Sequence, residues 1–237
     1  DADFLYQKEP NLKPGSTSAL WMPEVASIRN PRLGRSLRQN LLRRKNVTVL
    51  ENTPLEGLLT DGSRIRGIRT PEGELEADNT IIAAGAWSGE LLKPLGLSMP
   101  VEPVRGQMMV FKAPVGLVNR VVLMDGRYVI PRNDGRVLIG STIEHTCFVK
   151  ETTDEARASL FETAINIVPE LENCTIEHHW AGLRPGSPEG IPYIGAVPGY
   201  DNLYMNAGHF RNGLVLAPAS TRLMVDMLLG RKPIIDP

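Results

Sequence analysis

Apolar positions recur along this chain with two periods, and the period changes near residue 96. Asn30-Pro31 suits the N-cap and first position of a helix. Leu33, Leu37 and Leu41 follow as one stripe, and Arg43, Arg44 and Lys45 place cations near the helix end. The pattern then turns strand-like. NVTVLENTPLEGLL (46–59) and SRIRGIRT (63–70) predict strands about an Asp61-Gly62 turn. In EGELEADNTIIAAGAWSGELLKPLG (72–96) a short strand feeds a buried one at 80–84, then a glycine turn and a short helix from near Ser88. This helix–strand–strand–strand–helix order suits part of an α/β nucleotide-binding layer.

Beyond Gly96 the alternation is that of a mostly antiparallel sheet. VEPVRGQMMVFKAP (101–114), the stretch 119–145 and CTIEHHWAGLRPG (174–186) predict strands, with a hairpin at Asn133-Asp134-Gly135. Between them Asp154 starts an amphipathic helix with Leu160, Phe161, Ala164, Ile165 and Val168 inward. YDNLYMNAGHF (200–210) then predicts a strand, and RNGLVLAPASTRLMVDMLLG (211–230) a helix ending at Gly230. Met108-Met109 and, in part, Trp87 read as core. No internal repeat or low-complexity segment interrupts this order.

Composition narrows the classes. With 237 residues, 42% hydrophobic and 22% charged, the chain can build one large or two small soluble domains. A formal net charge of -1 gives no basic footprint and argues against nucleic acid as a partner. No apolar run approaches the roughly 18 residues of a membrane span. The start, DADFLYQKEP, is not a signal peptide and lacks an initiator Met. Cys147 and Cys174 make neither a disulfide framework nor a metal pattern, which points to a reduced, cytoplasmic setting. His178 and His179 are adjacent on a strand and face opposite sides, with no third ligand at metal spacing, so a zinc site is rejected. No G-x-S-x-G elbow or Walker loop is present.

Three stretches remain as candidate chemistry. In AGHFRNGLVLAPAST (207–221) a strand, a loop between Gly208 and Gly213, and a helix bring backbone N–H groups to one place. The glycines admit a flat or anionic ligand, and Arg211 adds a permanent charge. The alternative is a plain strand-to-helix turn capped by Asn212. In WAGLRPGSPEGIPYIG (180–195) Arg184 leaves a strand end just before the Pro185-Gly186 turn. A rigidly mounted arginine can take a carboxylate bidentately, whereas an isolated one is usually a solvated surface residue. In GRYVIPRNDGRVLIGST (126–142) Tyr128 suits either a ligand-facing hydroxyl or an ordinary half-buried tyrosine.

Together with IIAAGAWSGELLKPLGLSMPVEPVRGQMMVF (81–111), these stretches occur in the order found in glycine oxidases. From EPNLKPG to GRKPIIDP the chain resembles the FAD-dependent glycine oxidase branch of the D-amino-acid oxidase superfamily. The resemblance implies an α+β and α/β architecture in two interleaved parts, a flavin-binding α/β domain and a mostly antiparallel substrate sheet. Residues 1–30 would be a substrate-domain strand and connection, 31–96 a partial FAD-binding domain, 97–196 the substrate domain, and 197–237 the return to the FAD-binding domain. It further implies that Arg184 clamps the substrate carboxylate, that Tyr128 hydrogen-bonds it, and that Arg211 lies near both flavin and substrate. His209, Asn212, Gly213 and Leu214 match the loop facing the flavin's pyrimidine edge. Leu55 matches an adenine contact, Ala84 and Gly85 lie along the cofactor, and Ile143 falls at an apolar pocket position.

The implied reaction is FAD-dependent oxidation of a small amino acid, glycine first, by dioxygen to imine or glyoxylate and hydrogen peroxide, with a role in thiamine biosynthesis. No protein acid or base is named as catalytic. A homo-oligomer fits this reading. The alternatives are a sarcosine oxidase or D-amino-acid dehydrogenase and, in another class, a non-catalytic folded fragment without bound FAD. One departure stands out: among 22 glycines no two lie at i and i+2, so Gly-x-Gly-x-x-Gly is absent. The expectation is a C-terminal part of such an enzyme, inactive alone and without tightly held FAD.

Overall fold

In a computed structural model, residues 1–235 are described; the last two positions of the expected 197–237 segment lie outside the described residues. The elements run α1 (Ala2–Lys8), α2 (Asn30–Leu42), β1 (Gly57–Asp61), β2 (Arg64–Thr70), β3 (Gly73–Glu76) and β4 (Thr80–Ile82). They continue with α3 (Ser88–Leu92), β5 (Glu102–Lys112), β6 (Val122–Met124), β7 (Arg127–Pro131) and β8 (Arg136–Gly140). Last come α4 (Asp154–Ile167), β9 (Thr175–Gly186), β10 (Tyr193–Ala196), β11 (Leu203–Ala207) and α5 (Gly213–Leu228). The chain divides into two compact units. Residues 1–48, 105–144 and 149–182 form the first, and 49–104, 145–148 and the chain from 183 onward the second.

The first unit is built on a five-stranded sheet in the order β6-β7-β8-β5-β9. Alternation along β5, β7 and β8 sends Met109, Phe111, Val129, Val137 and Ile139 to one buried face. Helix α4 covers that face with Leu160, Ala164 and Ile167. It is capped by the Thr153 hydroxyl, which accepts the Ala156 N–H, with Asp154 and Glu155 at the positive end of its dipole. Two tight turns set the register. Gly135 closes the expected β7–β8 hairpin at φ 81°, and Asp125-Gly126, both left-handed, close β6 onto β7.

The second unit holds an antiparallel meander, β1-β2-β3, and a sheet in the order β10-β11-β4, with β10 antiparallel and β4 parallel to β11. Its core joins Ile65, Ile82, Leu92, Val101, Leu203 and Met205. Asn202, buried at the start of β11, ties the two sheets together. Its side chain accepts the Ile65 N–H and donates to the carbonyls of Ile65 and Asp78, all at 2.7–2.8 Å.

Several expectations are corrected. Residues 1–30 hold no strand; they open with α1, because the Asp1 side chain caps the Phe4 N–H and Lys8 closes the other end. Residues 47–50 are not a strand despite Val47, Thr48 and Val49, since among the described residues no strand pairs with them. α2 forms as expected but buries none of its residues; Leu37 and Leu41 are exposed, and residues 31–48 group with the first unit. The strand expected at 80–84 is shorter, and Ile81 is exposed because alternation turns Ile82 into the core and Ile81 to the opposite face. Trp87 is not core: it is half exposed and stacks on Phe148 with ring centroids 5.6 Å apart.

Candidate active site

In the second unit, β11 carries the chain to Ala207 and Gly208, with Ala207 opposite Tyr193 of β10. At Gly208 the backbone turns with φ 80°. A Cβ there would lie 3.2 Å from Ser187 Cβ and 3.3 Å from Tyr193 Cδ2, so both conformation and space call for glycine. Phe210 is also left-handed, at φ 45°. α5 opens at Gly213 with Asn212 in the N-cap position, yet the Asn212 side chain makes no capping bond. The first-turn N–H groups therefore lack the partner that an ordinary capped turn supplies, and they stand at the positive end of a 16-residue helix.

Two hydrogen bonds join this loop to the end of β9, next to Arg184. The Phe210 N–H donates to Pro185 O at 2.9 Å, and the Ser187 hydroxyl donates to Gly208 O at 2.6 Å. β9 ends at Gly186, which packs so closely on β5 that a Cβ would lie 2.7 Å from Val104 Cγ2. The turn expected at Pro185-Gly186 is therefore corrected: Arg184, Pro185 and Gly186 are the last residues of β9, and the chain turns only at Pro188–Gly190. The end of β9 is anchored to the loop 208–213 through Pro185 and, just past it, Ser187. Arg184 is half-buried and engaged in an interaction with the protein. Arg211, Asn212 and Leu214 are exposed, while His209 and Gly213 are half-buried.

His209 is the electrostatic oddity of the loop. Its Nε2 is buried and has no hydrogen-bond partner among the described residues, and burial pushes the imidazole below its ordinary pKa, toward the neutral form. Gly213 lies directly over it; a Cβ there would approach His209 Cβ to 3.2 Å. Elsewhere in this unit Leu55 and Ala84 line one open cavity of about 550 Å³, whose walls include Leu58, Ile68, Leu75, Ile82 and Leu91. Gly85, next along the chain, is left-handed at φ 57°.

Tyr128 and Ile143 belong to the first unit. The Tyr128 ring lies across Gly140 of β8, where a Cβ would come within 2.5 Å of the ring, so glycine makes its seat. Among the described residues its hydroxyl donates to the thioether of Met108, at 3.9 Å, a weak acceptor that leaves the group available to a better partner. Ile143 is half exposed between two residues that point inward, Thr142 and Glu144.

Sequence reasoning passed over Glu144. Its carboxylate gathers hydrogen bonds from Arg105, Gln107 and Thr142, and a carboxylate with that many donors is invisible in a linear reading because Arg105 and Gln107 lie 39 and 37 residues away. His178 is exposed and His179 half-buried, facing opposite sides of β9 as expected. Burial and the Arg157 charge lower the His179 pKa, with Asp154 and Glu144 opposing. Among the described residues no group of three or more His, Cys, Asp or Glu could hold a metal ion, and no helix is long and apolar enough to cross a membrane.

Against known proteins, residues 1–227 match the DAO family, described as FAD dependent oxidoreductase. Glycine oxidase of Pseudomonas aeruginosa is 56% identical over 98% of this chain and 64% of its own length. Glycine oxidase of Pseudomonas putida is 51% identical over 100% of this chain and 65% of its own. The chain therefore spans 64–65% of the length of these curated relatives. The crystal structure of glycine oxidase from Bacillus cereus superposes with a TM-score of 0.91 at 29% identity, covering 97% of this chain and 63% of that one.

Proposed function

Because the chain belongs to the FAD dependent oxidoreductase family, we propose that it is the larger part of an FAD-dependent glycine oxidase. The supporting observation is the double anchorage of the end of β9, beside Arg184, to the loop 208–213, through Phe210 N–H to Pro185 O and Ser187 hydroxyl to Gly208 O. It couples the residue suited to a substrate carboxylate to the loop suited to a flavin edge.

The residues present fit FAD. The buried His209 Nε2, unpartnered among the described residues, calls for a polar partner, the uncapped first turn of α5 offers N–H groups to an acceptor, and Gly208 and Gly213 keep the approach clear. His209, Arg211, Asn212, Gly213 and Leu214 would hold the pyrimidine edge, while Leu55, Ala84 and Gly85 would lie along the adenine and its linkage. The apolar cavity at Leu55 and Ala84 suits a planar base. When bound, FAD supplies the two-electron acceptor for an amine and passes those electrons to dioxygen.

The protein's own part is positioning and electrostatics. Arg184 takes the substrate carboxylate through its planar fork, and the Tyr128 hydroxyl donates a hydrogen bond to it. The positive end of α5 and Arg211 stabilise negative charge that develops during reaction. Neutral His209 adds a polar contact without adding charge. Ile143 limits the room beside the substrate Cα. The products are imine or glyoxylate and hydrogen peroxide, and we place the enzyme in the cytoplasm as a supplier for thiamine biosynthesis. The free thiols Cys147 and Cys174 suit that setting.

Oxygen uptake by the full-length protein on glycine, sarcosine, D-alanine and D-proline tests this reading. Glycine is expected to show the highest kcat/KM. A clear preference for sarcosine would move the protein to that branch, and no turnover with any of them would remove the reading. In the same assay Ile143→Ala is expected to raise the D-alanine-to-glycine ratio of kcat/KM roughly tenfold, since one or two methylenes of pocket space are worth about 1–3 kcal/mol. An unmoved ratio would place Ile143 outside the pocket.

A further inference from the structure

The segment that carries Ile143 is held by a polar network with no part in the reaction as described. Glu144 is its centre. The carboxylate accepts from Arg105 Nε at 3.0 Å and from Arg105 Nη2, from Gln107 Nε2 at 3.0 Å, and from the Thr142 hydroxyl. The Thr142 oxygen in turn accepts the Gln107 N–H at 2.8 Å. The main chain repeats the connection: Arg105 N–H donates to Glu144 O at 2.8 Å, and Glu144 N–H to Arg105 O at 2.9 Å. Thr153, which caps α4, donates its N–H to Gln107 Oε1 at 3.0 Å, so the network is also fastened to that helix.

Burial separates the anchors from the residue between them. Gln107 is fully buried, and Arg105 and Thr142 nearly so, while Ile143 is 49% exposed. Strand alternation explains this: 142 and 144 face the network, and 143 faces away. Burial raises the Glu144 pKa, but hydrogen bonds from Thr142, Arg105 and Gln107 and the Arg105 charge outweigh it and hold the carboxyl below its ordinary value. The group is therefore an anion with donors on both oxygens. A glutamine of the same shape would turn an NH2 group toward donors and leave part of the network unmatched.

We propose that Glu144 is a positioning residue for substrate size: it anchors the chain on both sides of Ile143 and so fixes where that exposed side chain stands. This rests on the reading of Ile143 as a pocket residue in a glycine oxidase. Glu144 touches neither substrate nor cofactor in this scheme. Its effect is on selectivity, and it is exerted through Ile143 alone.

The test uses the full-length FAD-bound enzyme carrying Glu144→Gln, Ile143→Ala and the pair together, with Thr142→Val as a second way to break the network should Glu144→Gln fold poorly. Oxygen uptake gives kcat/KM for glycine and D-alanine, and amide hydrogen exchange follows residues 142–145. Glu144→Gln is expected to raise the D-alanine-to-glycine ratio several-fold, in the same direction as Ile143→Ala. It should add nothing to the double variant, and exchange in the segment should quicken. A ratio unmoved by Glu144→Gln and Thr142→Val, in an enzyme where Ile143→Ala moves it, would overturn the proposal. So would full additivity in the double variant, because Glu144 would then act by another route. A wild-type enzyme inactive on every small amino acid would instead remove the functional reading, and this inference with it.

Discussion

Replacing Arg184 by alanine in the full-length enzyme is expected to raise the KM for glycine by about 30- to 1,000-fold, the equivalent of losing about 2–4 kcal/mol from a charge-assisted bidentate contact. Glycine offers little else to hold: its carboxylate is its main recognisable group. Arg184 lies near the end of β9, which is hydrogen-bonded to the loop 208–213 through Pro185 and Ser187, so its main chain is firmly held. Arg184→Lys should recover only part of the affinity, because a lysine has charge without the planar fork. Steady-state kinetics over a wide glycine range make the comparison. A KM for the alanine variant equal to that of wild type would end the assignment of Arg184 as the clamp.

The second large effect is expected at Gly208. Its φ of 80° is left-handed, and an added Cβ would press on Ser187 and Tyr193 at 3.2 and 3.3 Å. Gly208→Ala should therefore cost about 1–3 kcal/mol in backbone strain and crowding, and the loop must move to relieve it. That movement disturbs the Ser187–Gly208 bond and the approach to His209 and Gly213 together. The full-length variant should purify with markedly less FAD and bind added FAD about 10- to 100-fold more weakly if that strain falls on the bound loop. The visible flavin band per protein and a titration with free FAD measure it. Normal FAD content and affinity would show that the loop does not hold the cofactor.

How much of this was legible in the sequence depends on how local each signal is. The strand–loop–helix from Leu203 to Leu228 was readable because its cues sit side by side: alternation in β11, two glycines, then helical periodicity to Gly230. The β7–β8 hairpin was readable for the same reason. Signals that need a distant partner misled or stayed silent. Val47 to Leu50 have strand-forming side chains, but a strand exists only beside another, and among the described residues none pairs there. Leu37 and Leu41 make a helical stripe that finds no burial. The loop's uncapped helix start was also hidden, because Asn212 is an ideal cap in sequence and only the geometry shows that its side chain does not act as one. Glu144 gave no sign at all, since its meaning lies in Arg105 and Gln107 on another strand.

The candidate residues themselves came from motif resemblance rather than from pattern. Arg184 and Tyr128 each had an ordinary alternative on local evidence. For Tyr128 the structure adds a glycine seat at Gly140 and a hydroxyl set against a thioether, a weak acceptor. For Arg184 it adds the anchored end of β9. Sequence could not have supplied either, because both depend on backbone approach between separate strands.

The most direct measurement is anaerobic mixing of the full-length, FAD-bound protein with glycine while the visible flavin band is recorded, in wild type and in Arg184→Ala. The account predicts rapid, complete bleaching in wild type, with color restored by air together with hydrogen peroxide, and bleaching in the variant only at far higher glycine. A wild-type flavin that stays oxidised under saturating glycine, or that bleaches at the same glycine concentration with and without Arg184, would contradict it.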